Sequence, residues 1–151
     1  MGNTEMATLK MRRMTRGDID SVLILCKKVD GKQSRLCYRD LIAMNPGESM
    51  DMSFIAEDNG TIVGFVKARL EYMYVPVTEV CLIHALIIDP NYQRRGVGTV
   101  LMNELIDSCV INEIGTIRAL IDENDTELKV FAENMGFRRG KIINYDRTFE
   151  N

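Results

Sequence analysis

Chemistry is most legible in the run Gln93-Arg94-Arg95-Gly96-Val97-Gly98-Thr99, which follows an apolar stretch ending in Ile88-Asp89-Pro90 and opens a helical pattern. The first N–H groups of a helix have no intrahelical partner, and the helix dipole is positive at that end, so such a turn can cradle a phosphate or pyrophosphate. Glycine at 96 and 98 lets the backbone come close to the anion and tolerates left-handed dihedrals, while Arg94 and Arg95 add charge at the same mouth. Upstream stands His84, the chain's one histidine. Its imidazole, with an ordinary pKa of ~6.5, can accept a proton near neutrality. Strict strand alternation puts His84 and Leu86 on one face of the run 79–88, and Glu79 on the other face unless a bulge resets the phase.

Competing chemistries fit less well. A Walker loop ends in Gly-Lys-Ser/Thr, whereas here Gly98 is followed by Thr99. The dinucleotide fingerprint requires a third glycine where Leu101 stands, and it belongs near the first strand of a larger fold. Cys26, Cys37, Cys81 and Cys109 form no C-x-x-C pair and have no metal-ligand spacing with His84, so no metal site is expected. Cys81 reads as a small buried hydrophobe.

The elements that must position these residues belong to a chain of 151 residues, 46% hydrophobic and 27% charged, which suits one domain over residues 1–151. A net charge of -3 argues against bulk attraction to nucleic acid or anionic lipid. No apolar run approaches the ~18 residues of a membrane span and no secretory h-region opens the chain, so the cytoplasm is the expected location, with no membrane partner.

Residues 8–14 read as a short strand. Thr15 and Asp18 then have capping-box spacing before a helix marked by Ile19, Val22, Leu23 and Cys26. A second helix is expected over 34–43, stopped at Asn45-Pro46-Gly47. Strands over 52–57 and 61–74 flank Asn59-Gly60, a hairpin signal. In the second of them Lys67, Arg69 and Glu71 form a wet face opposite Val66, Ala68 and Leu70. Residues 79–88 are apolar at nearly every position, as in a strand covered on both sides. A helix over 96–110 buries Val97, Leu101, Leu105 and Cys109. A strand over 116–122, a helix ended by Gly136 and one or two strands over 137–149 complete the order, the last carrying Ile142, Ile143, Tyr145 and Phe149.

With these elements in place the chain resembles the GNAT superfamily of acetyl-coenzyme-A-dependent N-acyltransferases. Its turn, Q/R-x-x-G-x-G/A, is matched by residues 93–98. A second block, Asn-x-x-Ala-x-x-x-Tyr-x-x-x-Gly-Phe, is matched in part by residues 125–137. There Gly136-Phe137 fits, while Asp125 stands for Asn, Leu128 for Ala and Ala132 for Tyr. The resemblance in element order runs over about residues 8–149. It implies an α/β (α+β) fold with a mixed sheet of six to seven strands, split at its centre and flanked by about four helices.

The same resemblance implies acetyl-CoA as cofactor, bound by Leu86, Ile88, Gln93, Arg94, Arg95, Gly96, Val97, Gly98, Thr99 and Asp125. N–H groups over 94–99 would take the pyrophosphate, and the backbone at Leu86 and Ile88 would pair with the pantetheine arm like an added strand, with the Leu86 N–H near the thioester oxygen. In arylalkylamine N-acetyltransferases a His-Ala-Leu run before the turn carries a histidine implicated in removing the amine proton, and His84-Ala85-Leu86 matches it. The catalytic candidates are therefore His84, with Glu79 as an alternative base or substrate anchor and Tyr145 as a stand-in for the hydroxyl missing at Ala132. The expected reaction is direct attack of a primary amine on acetyl-CoA in a ternary complex, the amine belonging to a small molecule, a polypeptide N-terminus or a lysine. Acceptor contacts are expected near residues 28–35 and 72–78 and in the final strands. A homodimer through exposed strand edges suits such a fold. The competing reading is a non-catalytic acyl-CoA-binding or protein-interaction module; a nucleic-acid module ranks last.

Overall fold

The computed structural model describes residues 8–29, 38–73 and 78–150. They fall into two compact bodies, residues 1–120 and 121–151.

The first body is built on a sheet of five strands in the order β1-β2-β3-β4-β5: β1 (Leu9–Arg13), β2 (Phe54–Asp58), β3 (Thr61–Met73), β4 (Thr78–Ile88) and β5 (Ile117–Ala119). The first four run antiparallel to their neighbours, and β5 runs parallel to β4. Asn59 and Gly60, with φ of 48° and 81°, close the β2–β3 hairpin in the left-handed region that an Asn-Gly turn supplies.

Apolar periodicity decides what covers each face. Helix α1 (Ile19–Val29) buries Ile19, Val22, Leu25 and Cys26 against Met14, Leu41, Ile55 and Phe65, with Ala85 and Ile87 at the margin. Ahead of it Asp18 accepts the Thr15 N–H at 2.8 Å and the Thr15 hydroxyl at 3.2 Å, and it also receives Arg12 at 2.7 and 2.8 Å. Helix α2 (Tyr38–Ala43) ends before Asn45 and Gly47, whose φ of 47° and 86° reverse the chain. The expected start of that helix, over 34–37, lies outside the described residues. On the other face helix α3 (Val97–Ile111) buries Val97, Leu101, Met102, Leu105 and Cys109.

In the second body α4 (Thr126–Asn134) starts at Asp125, whose carboxylate accepts the Leu128 N–H at 3.0 Å, and stops before Gly136 at φ 91°.

Several expectations require correction. Among the described residues the sheet has five strands, not six or seven, because residues 137–150 form no ladder and are exposed, except for partly covered Phe137; Ile142, Ile143 and Phe149 are largely open to solvent. The wet face of β3 begins only at Arg69: Lys67 is fully buried. β4 is not covered along its whole length either, since His84 is exposed.

Candidate active site

The register between β3 and β4 places the site. Lys67 pairs with Ala85 and the next residue, Ala68, pairs with Ile83, so His84 is an extra residue on β4, a bulge. Below the bulge the Cys81 N–H donates to Thr116 O at 2.9 Å, on the β5 side. Above it the Asp89 N–H donates to Val63 O at 2.8 Å, on the β3 side. Backbone groups alternate along a strand, so Leu86 and Ile88 point theirs toward the β5 side, as Cys81 does. The bulge therefore moves the outward amides from odd to even positions. The β4–β5 ladder stops at Ile83 and Ala119, so no strand of the sheet meets Leu86 or Ile88 on that side. The strand opens an edge immediately after the bulge.

That edge leads into the glycine turn. Asp89, buried at the strand end, caps a one-turn helix over Pro90–Tyr92 by accepting the Asn91 N–H at 2.9 Å, and it holds Lys28 of α1 at 2.7 Å. Burial alone would raise the Asp89 pKa, but the hydrogen bonds from Lys28 and Asn91 outweigh it and hold the carboxyl below its ordinary value. Tyr92 donates to Asp58, the Arg95 guanidinium lies 5.4 Å from the Tyr92 ring centre, and Gln93 Nε2 reaches Ile88 O at 3.1 Å. Arg94 and Gly96 have φ of 63° and 84°, so the turn is left-handed at two points. A Cβ on Gly96 would meet nothing within 4 Å, so glycine is required there by backbone conformation and the space above it is open. No side chain caps α3, whose first i→i−4 bond runs from Val100 N–H to Gly96 O at 3.1 Å. The N–H groups of Val97, Gly98 and Thr99 precede that bond and form the donor cluster of the turn.

His84 is exposed at the bulge. Partial desolvation lowers its pKa; the Glu71 carboxylate opposes the shift, and Lys67 and Arg69 reinforce it. These three charges occupy one face of β3, which pairs with Ala85, Leu82 and Val80, whereas Leu86 pairs with Val66 on the other. The shared face expected of His84 and Leu86 does not survive the bulge, because alternation fails across an extra residue. Glu79 stands opposite Tyr72, on the face of Cys81 and Leu86. The hydrogen bond from the phenol to Glu79 raises the Tyr72 pKa. The two candidate bases are thus kept apart. Cys81 is buried, its thiol pushed up by contact with Cys109 and by burial, as befits an inert group.

The second body carries the remaining candidates. Asp125 serves as the helix cap described above, and Tyr145 is 94% exposed and lies in no strand. Residues 30–37 and 74–77, which include most of the expected acceptor loops and Tyr74, lie outside the described residues. Sequence reasoning raised a bulge in this strand without placing it, and missed the Lys28–Asp89 pair and a buried Lys67–Asp51 pair. The available signal for the last of these was a lysine between Val66 and Ala68, directly after the apolar run Ile62–Val66.

The chain matches the acetyltransferase (GNAT) family over residues 23–137. It belongs to that family. An uncharacterised N-acetyltransferase of Methanocaldococcus jannaschii is 24% identical over 90% of this chain and 63% of its own length. The alanine N-acetyltransferase of ribosomal protein bS18 from Escherichia coli is 25% identical over 66% of this chain, again covering 63% of its own length. The chain thus spans under two thirds of these curated relatives. Among solved structures, an aminoglycoside N-acetyltransferase bound to a bisubstrate analogue of CoA superposes with a TM-score of 0.78 at 17% identity, covering 93% of this chain and 98% of that one. Another, from a soil metagenome and bound to sisomicin, gives 0.76 at 18% identity, covering 95% and 98%. At such identities the likeness speaks to the fold.

Proposed function

We propose that the protein is an acetyl-CoA-dependent N-acetyltransferase that acetylates a primary amine by direct attack in a ternary complex. The observation that carries this reading is the continuity of an open strand edge at Leu86 and Ile88 with an uncapped helix start at residues 97–99. An extended amide-bearing arm fits the first, and a pyrophosphate fits the second. Solved relatives bound to CoA and to a CoA conjugate support the same assignment.

In this reading the backbone over 94–99, assisted by Gln93, Arg94 and Arg95, binds the diphosphate. Leu86 and Ile88 orient the arm, and the Leu86 N–H faces the carbonyl oxygen on which charge develops. His84 takes the proton of the incoming ammonium, directly or through water, and its lowered pKa keeps it in the accepting form. Glu79 is an anchor for a cationic acceptor, and the phenol it holds at Tyr72 adds an aromatic wall. Placing two substrates together supplies much of the acceleration, so no covalent intermediate is needed.

The acceptor is an amine on a small molecule or a polypeptide end, the two classes named for the relatives. The family match crosses both compact bodies, which supports reading the chain as one catalytic domain, in a monomer or a homodimer. No helix among the described residues is long and apolar enough to cross a membrane, which suits a cytoplasmic enzyme.

One observation favours a second reading, a non-catalytic acyl-CoA-binding module: Ala132 offers no hydroxyl to the leaving thiolate. The deciding experiment is CoA release across a panel of peptide termini, polyamines, aminoglycosides and amino acids, corrected for hydrolysis. Amine-dependent release is expected. Tight binding of acetyl-CoA with no release for any amine would establish the module instead.

A further inference from the structure

Tyr92 ends the one-turn helix directly before the glycine turn, and the chemistry above uses neither it nor Asp58. The phenol oxygen donates to Asp58 Oδ2 at the end of β2, while the Arg95 guanidinium lies 5.4 Å from the ring centre. Asp58 is fixed in turn by Thr8 Oγ1, which donates to Oδ1 at 2.6 Å, and by its register with Leu9 and Thr61. Because β3 lies between β2 and β4, the phenol contact ties the segment after β4 across one strand to the β2–β3 hairpin. The segment has need of such an anchor. Arg94, at φ 63°, holds a left-handed conformation that a side chain disfavours, and residues of this kind persist only where their surroundings fix them. Gln93, Arg94, Arg95 and Gly96 are all exposed, so burial does not fix them. The contacts that do are Tyr92 on Asp58, Gln93 on Ile88 O and Arg95 over the Tyr92 ring.

We propose that Tyr92, anchored by Asp58, is a positioning residue for the anion site: it sets the glycine turn in its left-handed shape before a ligand arrives and holds Arg95 at the mouth of that turn as a preorganised cation for the diphosphate of acetyl-CoA. The inference rests on the acetyltransferase reading for the identity of the ligand. Tyr92 commits its hydroxyl to Asp58, so it acts through Arg95 and the turn backbone and not by touching the cofactor. The bond is charge-assisted, and each partner is shifted the way that requires. Hydrogen bonds from Thr8 and Tyr92 lower the Asp58 pKa and keep the carboxylate ionised, while the bond to Asp58 raises Tyr92 and keeps the proton on the phenol. A turn shaped in advance has less to order when the ligand binds, so loss of the tether weakens affinity and leaves the chemistry of the bound complex intact.

Tyr92→Phe removes the hydroxyl and keeps the ring beneath Arg95, and Asp58→Ala removes the acceptor. Each should weaken CoA binding about 5- to 10-fold in calorimetry and raise KM for acetyl-CoA in step, with kcat for amine-dependent CoA release within about twofold of native. The double variant should bind no more weakly than either single variant, since both remove one contact. Tyr92→Leu, which also removes the ring, should lose more, and that extra loss should vanish on an Arg95→Met background. In the CoA-free protein, NMR order parameters for the amides of residues 93–96 should fall in Tyr92→Phe from the ~0.85 of rigid backbone. A folded Tyr92→Phe variant with native CoA affinity, unchanged order parameters or a loss confined to kcat would overturn the proposal, and so would losses that add in the double variant. If the native protein binds no CoA, the cofactor reading fails, while the order parameters still judge the tether.

Discussion

At the level of single residues, His84 combines exposure with a lowered pKa, which is the state a base needs at neutral pH. His84→Gln should bind acetyl-CoA normally and lose about 10²-fold or more in turnover, measured by amine-dependent CoA release. The loss should be largest between the His84 midpoint and the pKa of the acceptor amine, and shrink in acid, where the imidazole is itself protonated. Glu71 favours the charged imidazole, so Glu71→Gln should lower the His84 midpoint further and extend activity to more acidic pH. A kcat/KM profile that moves upward would contradict that sign. As a candidate, the histidine was legible in the sequence from its type and its place before Leu86. Its orientation was not, because one extra residue in a strand leaves no mark on composition and alternation assumes none.

Elements fix where those residues stand. Gly96→Ala adds a methyl into open space at φ 84°, so it tests backbone conformation without a clash. It should cost about 1–2 kcal/mol of stability in thermal unfolding and weaken CoA binding in calorimetry. Gly64 is the opposite case. A Cβ there would meet Ile88 Cδ1 at 2.9 Å, and both Ile87 O and Leu101 Cδ1 at 3.3 Å, so the glycine allows β4 and α3 to close on β3 beneath the open edge. Gly64→Val should cost about 1–3 kcal/mol in stability and weaken acetyl-CoA binding while the turn sequence remains intact. Glycine within an apolar strand marked close approach only in retrospect. The hairpin, the two long helices and the glycine turn were legible because each depends on local signals: an Asn-Gly step, an apolar stripe, a strand-to-glycine junction. The Lys67–Asp51 and Lys28–Asp89 pairs were not, since their partners are far apart in sequence and only the folded sheet brings them together.

At the scale of the molecule, acid should find the weak points. Asp18 is lowered chiefly by its hydrogen bond from Arg12, and Asp89 also sits below its ordinary value. Each carboxylate contributes stability that is present above the unfolded pKa of ~3.9 and lost as pH falls through the lower folded value. Thermal midpoints should therefore fall steeply below about pH 4, and Arg12→Gln should flatten that dependence. An unchanged acid slope in the variant would show that Asp18 contributes little to it. The family assignment was legible from the turn and the element order, and residues 23–137 bear it out. The strand count was not, because the tail carries apolar residues at strand spacing yet forms no ladder.

The central claim is that the backbone around residues 94–99, continued by Leu86 and Ile88, receives CoA. Residue-resolved amide hydrogen exchange with and without CoA tests it most directly. Exchange should slow at Gly96, Val97, Gly98 and Thr99 and at Leu86 and Ile88 when CoA is added. Saturating CoA that protects a different surface and leaves these amides unchanged would contradict the account.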